Sequence, residues 1–243
     1  MNPDIPFYTH ILIFIICGIL TWFIFYALNY ALNEIKAIQI TRKKYFLFTA
    51  LIISGWLAIT AFIALNGTLL DFVSVPPKII LLIIPPVLAI SYLSNSERVN
   101  KLIETIPVSW FVYIQSFRVL MELMLWLLFI SNVIPVQMTF EGLNYDVLTG
   151  LSAPLIGYYC LTINKWPRIA AVLWNIAGLL LVTNIFIVSV LSTPTPMRQF
   201  FNEPANTMIA YFPNVWIAAF IVPFAYFMHI LSLKQIIKFG KQI

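Results

Sequence analysis

Charge is scarce in this sequence. Only 9% of its 243 residues are Asp, Glu, Lys or Arg, against about 25% in soluble globular domains, and that shortage excludes an ordinary water-exposed surface. Cysteine and histidine are scarcer still, with two of each. Cys17 and Cys160 fall inside apolar runs, where a buried thiol is ordinary and no disulfide framework follows. His10 and His229 sit at opposite ends of the first and last apolar segments, at depths differing by more than about 15 Å. That separation excludes a shared haem, and so few His and Cys residues leave no ligand set for a metal. Neither a metal nor any other cofactor is expected.

Other absences narrow the class further. No polar stretch is long enough for a separate soluble domain, so residues 1–243 are expected to form a single transmembrane domain. No basic run extends beyond Arg42, Lys43 and Lys44, so the formal charge of +5 does not point to nucleic acid. The opening MNPDIPFYTH carries an aspartate and no Lys or Arg, which argues against a cleaved signal peptide. There is no HExxH and no Gly-rich phosphate loop, and the first lysine of the last apolar segment is Lys234 at its inner end, where a retinal could not be attached. No catalytic residues are assigned from motifs.

What is abundant is apolar surface: 61% hydrophobic and 16% aromatic residues. A helix needs about 20 mostly apolar residues to cross a bilayer, and seven stretches qualify: roughly 7–29, 45–66, 77–94, 107–134, 146–164, 168–192 and 212–236. In the fifth, Ser152, Pro154 and Gly157 predict a kinked or partly broken helix. Prolines also fall within the third (Pro85, Pro86) and seventh (Pro223) stretches, where each removes a backbone donor. Eleven of the fourteen Lys and Arg residues fall in alternate connections and the C-terminal tail, two on the opposite side, and Arg118 lies within a span. Since cytoplasmic loops carry the excess of Lys and Arg, the expectation is an all-α, seven-helix, multi-pass protein of a bacterial-type cytoplasmic (inner) membrane. Its N-terminus would be outside and its C-terminus cytoplasmic.

One span breaks the pattern. SWFVYIQSFRVLMELMLWLLFIS, Ser109–Ser131, carries Arg118 and Glu122 near its middle, about 16 Å from the inner end of the span at Pro107 and about 6 Å further out. Each charge costs roughly 2.5–3.5 kcal/mol at the centre of a membrane helix, so both must meet partners. At 100° per residue Gln115, Arg118, Glu122 and Trp126 share one face, with Leu120, Met124 and Leu127 opposite and expected to face lipid. The spacing of four also lets Arg118 reach Glu122 on its own helix. Gln115, Arg118, Glu122, Trp126 and Asn175 are therefore candidate ligand-binding residues for a small molecule, ion or lipid-like ligand, either bound or transported.

Beyond that span, PVQMTFEGLNYD places Glu141, Asn144 and Asp146 in an outer connection without a cation. Acidic groups there form a candidate outer vestibule, although Asp146 also stands where it would cap the fifth helix. Two other readings remain open. One is a non-catalytic sensor or assembly partner, in which a structural Arg118–Glu122 pair serves a protein partner or a second copy. The other is an intramembrane enzyme with Glu122 as general acid or base.

Overall fold

The computed structural model describes residues 4–239, and every regular element among them is helical. Five stretches are long and apolar enough to cross a membrane: Phe7–Glu34, Gln39–Leu65, Val108–Ile130, Arg168–Ser192 and Ile217–Lys238. A sixth arises if Ile80–Asn95 and Glu97–Ile103, bent by 73° about Ser96, count as one. The architecture is that of a multi-pass membrane protein. In chain order the α-helices are α1 (Phe7–Glu34), α2 (Gln39–Leu65), α3 (Ile80–Asn95), α4 (Glu97–Ile103), α5 (Val108–Tyr113), α6 (Phe117–Ile130), α7 (Val147–Ile156), α8 (Arg168–Ser192) and α9 (Val222–Lys234). A single 3-10 turn, Ile114–Ser116, joins α5 to α6, and π-helical segments extend α7 and flank α9.

The fifth expected span keeps nearly the bounds read from the sequence, with a change to π-helical turns at Gly157. Its helix is the short Val147–Thr162, about 24 Å long, and its shortness has a structural cause. Glu122 lies eight residues before the end of α6 at Ile130, about 12 Å back along the axis, yet Asn144 hydrogen-bonds to it. Residues 131–146 therefore fold back along α6 before α7 begins, and α7 starts level with the middle of its neighbour. Val133, Ile134, Met138 and Asn144 are buried in this segment. Asn184 of α8 donates to the Leu143 carbonyl at 2.6 Å and Gln137 donates to Ser192 at 2.9 Å. Non-helical backbone at this depth is sustainable only when protein covers it in this way. From there α7 descends antiparallel to α6 and α5. A Cβ on Gly150 would come within 2.8 Å of the Val119 amide nitrogen, and one on Gly157 within 2.5 Å of the Tyr113 ring.

Two further expectations are corrected. Arg42, Lys43 and Lys44 are not in a loop but in the opening turns of α2, where Arg42 bonds to Asn29 and Asn33 of α1. Met124 does not face lipid: it is fully buried, because α1 packs on the side of α6 opposite the charges. The outward side of α6 is instead narrow and centred on the exposed Leu123, with Leu120 and Leu127 half-buried beside it.

One of the prolines within the spans, Pro223, is accommodated by a specific donor. Pro223 has no N–H to offer the carbonyl four residues back, that of Ala219, and Trp56 of α2 donates its indole N–H to that carbonyl at 2.8 Å. Trp216 returns the contact, donating to the Leu57 carbonyl at 3.0 Å. At the other end of α9, Lys234 donates to the Ser94 carbonyl and to Asn100, and Gln235 donates to the carbonyls of Ile103 and Ile106. These contacts close the end of α9 onto the α3–α4 elbow.

Candidate functional site

The infolded segment delivers its polar groups to the charged face of α6. Arg118 is 1% exposed, and its Nη1 donates to Asp146 Oδ1 at 2.8 Å. Glu122, 2% exposed, accepts from Asn144 Nδ2 on both carboxyl oxygens, each at 2.7 Å. Asn144 in turn accepts from the Asp146 backbone N–H at 3.1 Å, which fixes the turn that aims the aspartate at Arg118. Arg118 thus pairs across to Asp146 rather than along its own helix. Asp146 sits immediately before α7, at its N-cap, without a side-chain bond to that helix's backbone, so the expected cap is replaced by an ion pair.

The guanidinium is only partly used. Nη1 has a longer contact of 3.5 Å to the Gly178 carbonyl on α8, while Nε and Nη2 are buried and have no hydrogen-bond partner among the described residues. A buried donor left without a partner forfeits more free energy than a typical hydrogen bond supplies, and here two belong to one cation. Arg118, Glu122 and Asp146 also line a cavity of about 140 Å³ bounded by α3, α6, α8 and the start of α9. Its remaining wall is mostly apolar, including Ile83, Leu125, Val182, Phe186 and Ile221, with Ser189, Thr193 and Thr195 among its few other polar residues.

The other candidate residues fall elsewhere. Gln115 is fully buried and does not line the cavity itself; it donates at 3.1 Å to the carbonyl of Ala225, which does. Trp126 donates its indole N–H to Glu141 at 2.6 Å in an exposed setting, so these two tie the outer loop to α6. Of the expected outer vestibule, Glu141 stays at the surface, whereas Asn144 and Asp146 are buried partners of the charged pair.

Asn175 belongs to a second polar cluster that the sequence did not assemble. It donates to the Ala171 carbonyl at 2.8 Å and to Ser232 at 3.0 Å, so its Oδ1 accepts from Nδ1 of His229 at 2.9 Å. That fixes the tautomer and leaves Nε2 as an acceptor, buried and without a partner among the described residues. The ring lies against Gly178, where a Cβ would come within 2.4 Å of it. Glycine is required there for α8 to approach α9, and the same residue's carbonyl faces Arg118. The two clusters therefore share a wall. Thr149, which donates to Asp146 at 3.4 Å, and Gly178 are the site residues that sequence reasoning missed. A glycine inside an otherwise bulky apolar helix was the available signal.

Fold and site together define a helical, multi-pass membrane protein with a buried charged cluster beside an apolar cavity. Residues 76–237, more than half of the chain, match the family described as a domain of unknown function, DUF8737, and the chain belongs to that family. No curated protein and no solved structure matches the chain.

Proposed function

We propose that the chain crosses the cytoplasmic membrane seven times, with the N-terminus outside, and binds a small polar or amphipathic molecule in the cavity beside Arg118. The observation that carries this reading is the pair of unused, buried N–H donors of Arg118 on the cavity wall. Asp146 holds the guanidinium in place and Asn144 holds Glu122, so the site is organised before anything binds. In this orientation the infolded segment enters from the outside, and the loops that close the cavity, around Ile79 and Thr193–Met208, are outer loops as well. Passage across the membrane by alternating access would use the helices whose bonding is already interrupted, at Pro154 and Pro223.

Thermal unfolding of the purified protein against a library of small molecules tests the reading. A ligand that stabilises the wild type by mass action should lose its effect in Arg118→Leu and weaken in Glu122→Gln. The competing reading, a sensor or assembly partner with structural charges, draws on the Arg118–Asp146 ion pair. It would prevail if no ligand shifts the transition while joint replacement of Arg118 and Asp146 by Leu restores wild-type stability.

A further inference from the structure

Resting on the ligand-binding reading of Arg118, we propose that the cavity takes a neutral, carbonyl-bearing lipid that enters sideways from the bilayer between α3 and α8. Its carbonyl oxygen accepts from Nε and Nη2 of Arg118, and its hydrocarbon chain lies along Ile83, Val182, Phe186 and Ile221.

Three observations carry this. The first is the position of the opening. α3 and α8 both pack against α9, the cavity lies between them, and its wall residues on those two helices, Ile80, Ile83, Ile185 and Phe186, are half-buried. On a membrane-spanning bundle a gap at that position faces lipid. The second is the division of the wall into a charged corner and an apolar slot, which matches a molecule with one polar end. A volume of about 140 Å³ accommodates a headgroup and the first part of a chain, while the rest extends through the gap. The third is the charge count. Asp146 already neutralises the guanidinium at 2.8 Å, so a further full negative charge would meet the repulsion of Asp146 along with the attraction of Arg118. A neutral carbonyl takes the free donors without that repulsion, and an adjoining hydroxyl can donate to a carboxyl oxygen of Glu122.

The test uses the full chain in phosphatidylcholine nanodiscs and four probes: a long-chain monoacylglycerol, the fatty acid and the primary amine of the same chain length, and glyceryl monoacetate. Thermal unfolding is followed for wild type, Arg118→Gln and Ile83→Trp; the last fills the gap and leaves the charged corner intact. The monoacylglycerol is expected to raise the transition by about 5 °C at roughly a hundredfold excess over Kd. That shift should disappear in both variants, and glyceryl monoacetate should bind at least about tenfold more weakly for want of buried methylenes. If Arg118→Gln does not fold, Ile83→Trp alone still decides whether the slot is used. A fatty acid or amine that stabilises as well as the glyceride, with the same dependence on Arg118, overturns the neutral headgroup and leaves the ligand site standing. Equal binding of glyceryl monoacetate, unaffected by Ile83→Trp, overturns lateral entry and also leaves the site standing. No shift with any of the four overturns the lipid proposal, and the soluble library then decides the fate of the site itself.

Discussion

Helices α2 and α6 come from similarly apolar stretches of sequence and do opposite things. α2 buries only Thr60 and Ala64 along its 27 residues. α6, with half that length, buries Phe117, Arg118, Met121, Glu122, Met124, Leu125 and Leu128. Of the two, α2 is the one without an interior charge. Its Leu47, Phe48, Leu51, Ile52 and Phe62 are exposed, which suits a surface solvated by lipid, where apolar residues need no protein neighbour. The charges of α6 demand neighbours, and they receive them from α7, α8 and the infolded segment. In this fold hydropathy reports what surrounds a helix, and interior polarity reports where the protein is built around itself. The match to the DUF8737 family follows the same division: it begins at residue 76, after α2, and contains the whole site.

The contrast predicts that damage should scale with polarity removed from the core. Replacing Arg118 by Leu leaves Asp146 buried without its partner, which costs about 3–5 kcal/mol for a broken buried pair; unfolding in detergent should show a larger loss than replacement of a packing glycine or a surface charge. Adding Asp146→Leu should recover most of it. If the double variant is as unstable as the single one, the ion pair is not what holds α7 against α6, and the division between the two regions loses its physical basis.

Glycine substitutions sharpen the comparison at the next level. At Gly150 a new Cβ meets the Val119 backbone nitrogen at 2.8 Å, and backbone cannot rotate away, so Gly150→Ala should cost about 1–3 kcal/mol, as overpacking does. At Gly55 in α2 nothing lies within 4 Å. There the gain in helix propensity, up to about 1 kcal/mol, should leave Gly55→Ala neutral or slightly stabilised. Identical responses at the two glycines in thermal unfolding would contradict the packing described for α7. For what little α2 does contribute, Trp56→Phe should lose the bond to Ala219 and about 1 kcal/mol, read in the same assay.

Much of this division is legible from residue spacing, and the reasons for the exceptions are specific. The run from Arg168 to Ser192 has the same bounds in sequence and structure, because a long apolar helix with Pro167 before it has few alternatives. Burial of Arg118 and Glu122 follows from the cost of charge in a membrane helix. Their partners do not follow: Asp146 is 28 positions from Arg118 and Asn144 is 22 from Glu122, and nothing in the periodicity of either helix reports that residues 131–146 turn inward. The burial of Met124 escapes sequence reasoning for a related reason, since one helix's moment cannot tell a lipid neighbour from α1. His229 and Asn175 are each visible as polar residues in apolar helices, but their meeting depends on the register of α8 against α9.

The smallest effect is expected at the boundary between the two regions. In the connection from α2 to α3, Lys78 bonds to Asp71 at 2.9 Å, with both side chains 42% exposed. The hydrogen bond from Lys78, aided by the Ser74 backbone N–H, holds the Asp71 carboxyl below its ordinary range. A carboxylate depressed in the folded state stabilises it above the unfolded value of about 3.9, and the contribution fades as the pH falls through the lower folded value. Exposure and salt screening keep it small. Lys78→Met should therefore move the Asp71 titration upward towards the ordinary aspartate value, measurable by carboxyl chemical shift, and leave stability at neutral pH nearly unchanged. A loss comparable to that of Arg118→Leu would mean that this exposed pair, rather than the buried cluster, ties the N-terminal helices to the region containing the site.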